Sequence, residues 1–167
     1  VGDLVASYCG TQGVTENNHG AIVYGGSTLL VVRGDFDALL AIDHPPQAQR
    51  AIAKARTYDD AAFRCFAGLF ASRRNYDVAE GLDAAGARCA GVLEQSWRVG
   101  GATGAEVEAL LAFRDDPALA VVRASTTERY GSDAAPPDGA IVYFTGTDER
   151  AGPLLKFTLI EPYVHAR

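Results

Sequence analysis

The pentapeptide Gly-Ala-Ile-Val-Tyr occurs twice, at residues 20–24 and 139–143, and a polar gap followed by a second apolar run comes after each copy. Val, Ile and Tyr favour pleated backbone and five residues are too few for a stable helix, so both copies read as strands. In the first copy Ile22 and Tyr24 alternate with Ala21 and Val23, which leaves both faces apolar. Residues 29–32, Leu-Leu-Val-Val, have the same character, and Gly25-Gly26 between the runs permits a tight reversal. The pattern predicts a hairpin at the centre of a sheet covered on both sides. After the second copy comes a longer polar connection over residues 145–153. The returning strand puts Leu155, Phe157 and Leu159 on one face and Lys156 and Thr158 on the other, so it is expected to be half-exposed, with Pro162 at its end.

Between these ends the period lengthens. Pro46 suits the first turn of a helix running to Arg56. Residues 58–72 set Ala62, Phe63, Phe66 and Phe70 on one stripe, and residues 76–97 repeat Val78, Leu82, Ala85, Cys89 and Val92 at helical spacing. Gly81, Gly86 and Gly91 each weaken that third helix by about 1 kcal/mol. Thr103 and Glu106 fit a capping box opening a fourth helix that stops before Pro117. A strand over residues 119–124 and a loop over residues 129–139 complete the chain. The expected plan is a single α+β domain over residues 1–167, with an antiparallel sheet built from N- and C-terminal hairpins packed against a central helical block. The flanks of the two pentapeptides do not match, so the repetition reads as one packing problem solved twice, with both copies as inner strands.

At 167 residues the chain is long enough to bury a core without staples. Its 15 basic and 21 acidic residues give a net charge of −6, which argues against a surface built to neutralise phosphates, so nucleic acid is not the expected partner. Three cysteines, Cys9, Cys65 and Cys89, form no zinc or redox spacing. Cys89 is expected to be buried in its helix stripe. No run approaches the length needed to cross a bilayer, and no leader is visible before Val1. The expectation is a soluble, acidic, cytoplasmic protein without membrane association, although a secretion signal removed before Val1 would leave no trace.

Nucleotide-binding, zinc-protease and nucleophile-elbow motifs are absent, and no cofactor or metal is expected. The stretch Ser-Tyr-Cys9-Gly to Asn17-Asn18-His19-Gly carries the sharpest candidate chemistry. A cysteine nucleophile needs a base to make thiolate, which His19 or His165 would supply to Cys9 in a small hydrolase or transferase. Asp35 reads as a cap for a short helix beginning near Phe36. The leading functional expectation is a non-enzymatic binding or assembly module. It would meet another protein chain, or a second copy, through the sheet face or the polar loop over residues 145–153 that bears Asp148, Glu149 and Arg150.

Overall fold

A computed structural model describes residues 3–133 and 135–163. The elements run β1 (Ala6–Glu16), β2 (Ile22–Arg33), α1 (Phe36–Leu40), α2 (Pro46–Cys65), β3 (Tyr76–Leu82), β4 (Arg88–Gln95), α3 (Thr103–Asp115), β5 (Val121–Tyr130), β6 (Ile141–Asp148) and β7 (Gly152–Pro162). Every strand pair is antiparallel, and the fold is α+β, with helices packed on sheet, as the patterning implies. The chain separates into two compact units, one from residues up to 39 and from 101 onward, the other from residues 40–100.

The first unit holds a five-stranded sheet in the order β1-β2-β5-β7-β6. One face carries α3. Ala105, Ala109 and Phe113, spaced by four on one helical stripe, are fully buried against Leu29 and Val31 of β2 and Val122 and Ala124 of β5. Burial of the Phe113 ring alone is worth about 1.5–3 kcal/mol. Arg33 closes the far end of α3: its guanidinium lies 5.2 Å from the Phe113 ring centre and donates to the carbonyls of Phe113, Asp116 and Leu119. Asp35 accepts from the backbone of Asp37 and Ala38 and so caps α1.

Several expectations are corrected in this unit. Residues 22–33 form one continuous strand, and the reversal lies earlier, at residues 17–20. Gly26 is needed for close approach, not for a turn: at φ +143° a Cβ there would collide with the Thr126 carbonyl of β5. The second pentapeptide lies in β6, an edge strand, while its returning strand β7 is interior, with Thr158 buried and Lys156 paired. Ala102 is the N-cap of α3, one residue before the expected Thr103. The two pentapeptides do share one feature. Gly20 and Gly139 both adopt φ +77°, each ending a turn in which a backbone N–H returns to a residue just before it. The repeat is therefore the same strand-opening device used twice.

The second unit packs α2 on the two-stranded sheet β3-β4. Here the helix expected over residues 76–97 is instead a hairpin. Gly86, at φ +78°, closes a turn in which the Asp83 carboxylate accepts from the N–H groups of Ala85 and Ala87. Cys89 is exposed on β4, not buried in a helix stripe. The first two expected helices are one, ending at Cys65, and Phe66 and Phe70 lie exposed beyond it. Buried Asp59 joins helix to hairpin, accepting from the Tyr76 hydroxyl at 2.6 Å and the Arg74 guanidinium at 2.8 Å. Arg74 in turn stacks on Phe63, and Tyr58 donates to Gln95.

Candidate functional site

Along β5 and β7 the α3-bearing face changes character. Ala124, Thr126 and Glu128 alternate onto it from β5, and Ile160, Thr158 and Lys156 from β7, with Thr126 opposite Thr158 and Glu128 opposite Lys156. The apolar rows lie under α3, and the polar rows begin where α3 begins: a Cβ on Gly104 would lie 2.9 Å from the Thr158 hydroxyl and 3.1 Å from the Thr126 methyl.

Hydroxyls and charges accumulate there. The Tyr24 hydroxyl is hydrogen-bonded to Ser27 at 2.8 Å and to Thr126 at 2.9 Å, and Thr126 Oγ1 also accepts the Ser27 N–H. Lys156 Nζ donates to Glu128 at 2.8 Å, and Tyr130 donates to the other carboxylate oxygen. Burial, and then the Glu128 charge, push the Tyr130 and Tyr143 hydroxyls above the usual phenol range, so both are firmly protonated donors near neutrality. The tyrosines that end the two pentapeptides both reach the start of α3. A Cβ on Gly101 would lie 2.5 Å from the Tyr24 ring, and one on Gly104 would lie 3.7 Å from the Tyr143 ring. Neither tyrosine belongs to a catalytic motif, and the repeated pentapeptide is the one sequence signal that leads to them.

The residues singled out from sequence lie elsewhere. Cys9 sits on β1 opposite Leu30, half-buried, and burial pushes its thiol up, away from the thiolate a nucleophile needs. His19 lies in the β1–β2 turn beyond Glu16. The seven residue steps along the strand from Cys9 to Glu16 span about 23 Å, so Cys9 and His19 are not brought together. His165 lies outside the described residues. His19 instead meets the other predicted cluster: its Nε2 donates to the Arg150 carbonyl at 3.1 Å. Asp148 accepts from the N–H groups of Arg150 and Ala151, and these bonds hold its carboxyl below the usual range. Its carboxylate thus shapes its own turn, with Glu149 and Arg150 exposed at the tip.

Beside these tips an open cleft of about 540 Å³ is lined by Thr15, Glu16, Arg129, Tyr130, Ser132 and Asp133. Among the described residues no three His, Cys, Asp or Glu side chains converge as a metal site, and no helix is long and apolar enough to cross a membrane. The arrangement offers hydrogen-bond donors, aromatic rings and one neutralised ion pair. No curated protein and no solved structure matches the chain. Residues 1–158 match the family described as protein of unknown function (DUF3182), and the chain belongs to that family.

Proposed function

We propose that this chain is a non-enzymatic binding or assembly module that meets another protein chain along β6, one of the two edge strands of the five-stranded sheet. One observation carries the reading: Ile141, Val142 and Tyr143 stand exposed in succession on that edge, at 44%, 39% and 52% of their full surface. Ile141 and Val142 point to opposite faces ahead of the bulge at Tyr143, so the strand is apolar on both sides, and among the described residues no strand pairs with its outer backbone groups. Edge strands are usually guarded by charge or proline, and the run from Ile141 to Thr147 has neither. An added strand would gain main-chain hydrogen bonds and two apolar faces at once. The adjoining tyrosines match the composition that interfaces favour.

The test replaces Ile141 and Tyr143 together by lysine. Sedimentation over a wide concentration range, and affinity capture with the purified chain as bait, are compared between the two forms. Self-association or a captured partner in the parent, lost in the variant with unchanged circular dichroism, is the expected result. A chain that stays monomeric and captures nothing, or a variant that keeps its partner, overturns the reading.

A further inference from the structure

We propose that the partner of the β6 edge is the β1 edge of a second copy of this chain, joined head to tail so that one five-stranded sheet continues into the next. The inference rests on the reading of β6 as the docking edge and names what docks there. β1 is the opposite edge of the same sheet, and among the described residues no strand pairs with its outer side. It is unguarded in the same way as β6, since from Ala6 to Thr15 it carries no charge and no proline. Its residues from Gly10 to Val14 stand exposed in succession. The irregularity in the β1–β2 ladder falls on β2, where Gly25 is the extra residue, so β1 keeps the regular alternation that an added strand can pair with.

Charge and apolar surface agree on one direction of pairing. Each edge strand ends in an acid, β1 at Glu16 and β6 at Asp148. Laid parallel, the two acidic ends would meet, and like charges facing each other across a strand pair destabilise it. Laid antiparallel, they fall at opposite ends of the contact. The antiparallel direction also brings Val14, 67% exposed near the end of β1, beside the run from Ile141 to Tyr143 that opens β6. Ile22, the β2 partner of Glu16, is 68% exposed and widens the apolar surface at that end. Consecutive copies are then related by a half-turn about an axis lying in the sheet and crossing its strands, so α3 alternates between the two faces. Such a contact uses a different patch on each partner and leaves one β1 and one β6 free at the ends of every assembly, so it does not stop at two copies.

The experiment compares sedimentation of the parent, of a β6 variant (Ile141→Lys with Tyr143→Lys) and of a β1 variant (Thr11→Lys with Val14→Lys), both altered at exposed positions. The parent should form species larger than a dimer as concentration rises. Each variant alone should self-associate more weakly by about tenfold or more, since lysine on an edge strand opposes pairing, with unchanged circular dichroism. Mixed in equal amounts, the two variants should form a dimer and stop there, because one intact β1 and one intact β6 remain. A β1 variant that assembles like the parent overturns this inference and leaves the β6 reading standing with a different partner, whereas a β6 variant that does so removes both. A mixture that stays monomeric, or a parent monomeric throughout, also overturns the head-to-tail contact. Amide exchange in the parent needs no substitution: protection over residues 10–14 and 141–147 should rise together with concentration, and a rise in only one of the two segments, or in neither, overturns the proposal.

Discussion

The side-chain amide of Asn18, at the tip of the β1–β2 hairpin, donates to the carbonyl oxygen of Ala151 at 2.6 Å. It also donates to the Pro153 carbonyl at 2.8 Å, so one residue ties together the turns at the same end of both hairpins. Each exposed bond is worth about 0.5–1.5 kcal/mol, and Asn18→Ala is expected to cost about 1–2 kcal/mol in urea unfolding. Asn18→Asp should cost more, since it turns an acceptor toward two carbonyls. A neutral Asn18→Ala would show that the two tips do not depend on this tie.

Tyr76 predicts the alkaline behaviour of the second unit. Burial first, then its bond to Asp59 and the charge of that carboxylate, push the phenol well above its ordinary value of 10.0. A raised pKa means that the folded state holds the proton more tightly than the unfolded chain. The stabilisation is therefore complete below pH 10 and declines as pH rises beyond it. Melting temperatures measured across that range should fall for the parent and fall less steeply for Tyr76→Phe. Parallel curves for the two would remove Tyr76 as the cause.

Asp148 predicts the opposite limb. Its carboxyl is held below the usual value of 3.8 by the N–H groups of Ala151 and Arg150, so its contribution is present above that pH and lost as acid protonates it. Amide exchange at Arg150 and Ala151, corrected for the intrinsic pH dependence, should accelerate below about pH 4, and Asp148→Ala should show the fast rate already at neutral pH. Rates at these two amides that stay insensitive to both changes would contradict the role given to this carboxylate.

The three thiols should separate by reactivity. Cys65 and Cys89 are exposed, whereas Cys9 is half-buried with its thiol pushed up, so iodoacetamide should modify Cys9 last at neutral pH. Cys89→Ser should change stability by less than about 0.5 kcal/mol, as expected of a surface position. Fast alkylation of Cys9 below neutral pH would revive it as a nucleophile.

How far the fold could be read from the chain depended on what each glycine was doing. Gly81, Gly86 and Gly91 interrupted the apparent stripe of Val78, Leu82, Ala85, Cys89 and Val92, and that interruption was the better guide: Gly86 makes the hairpin turn that the spacing concealed. Gly25-Gly26 misled in the other direction, because a glycine that admits a neighbouring backbone looks in sequence like one that reverses the chain. The α+β plan was legible because strand-rich ends and a helix-bearing middle survive such errors. The polar cluster at the start of α3 was not legible. Tyr24, Thr126 and Thr158 lie far apart in sequence, and only the pairing of β2 with β5 and β5 with β7 brings them together.

The strand order carries a consequence for how the chain assembles. Leu29 pairs with Ala124, which lies beyond the whole second unit in sequence, and β5 is then joined to β7 ahead of its nearer neighbour β6. The β1–β2 and β6–β7 hairpins are local and can form within microseconds, but closing the long loop between β2 and β5 loses entropy before any contact offsets it. That zippering is the expected slow step. Until it occurs, Leu29, Val31 and Val32 line an unsealed sheet margin able to capture a second nascent chain, so refolding yield should fall as protein concentration rises.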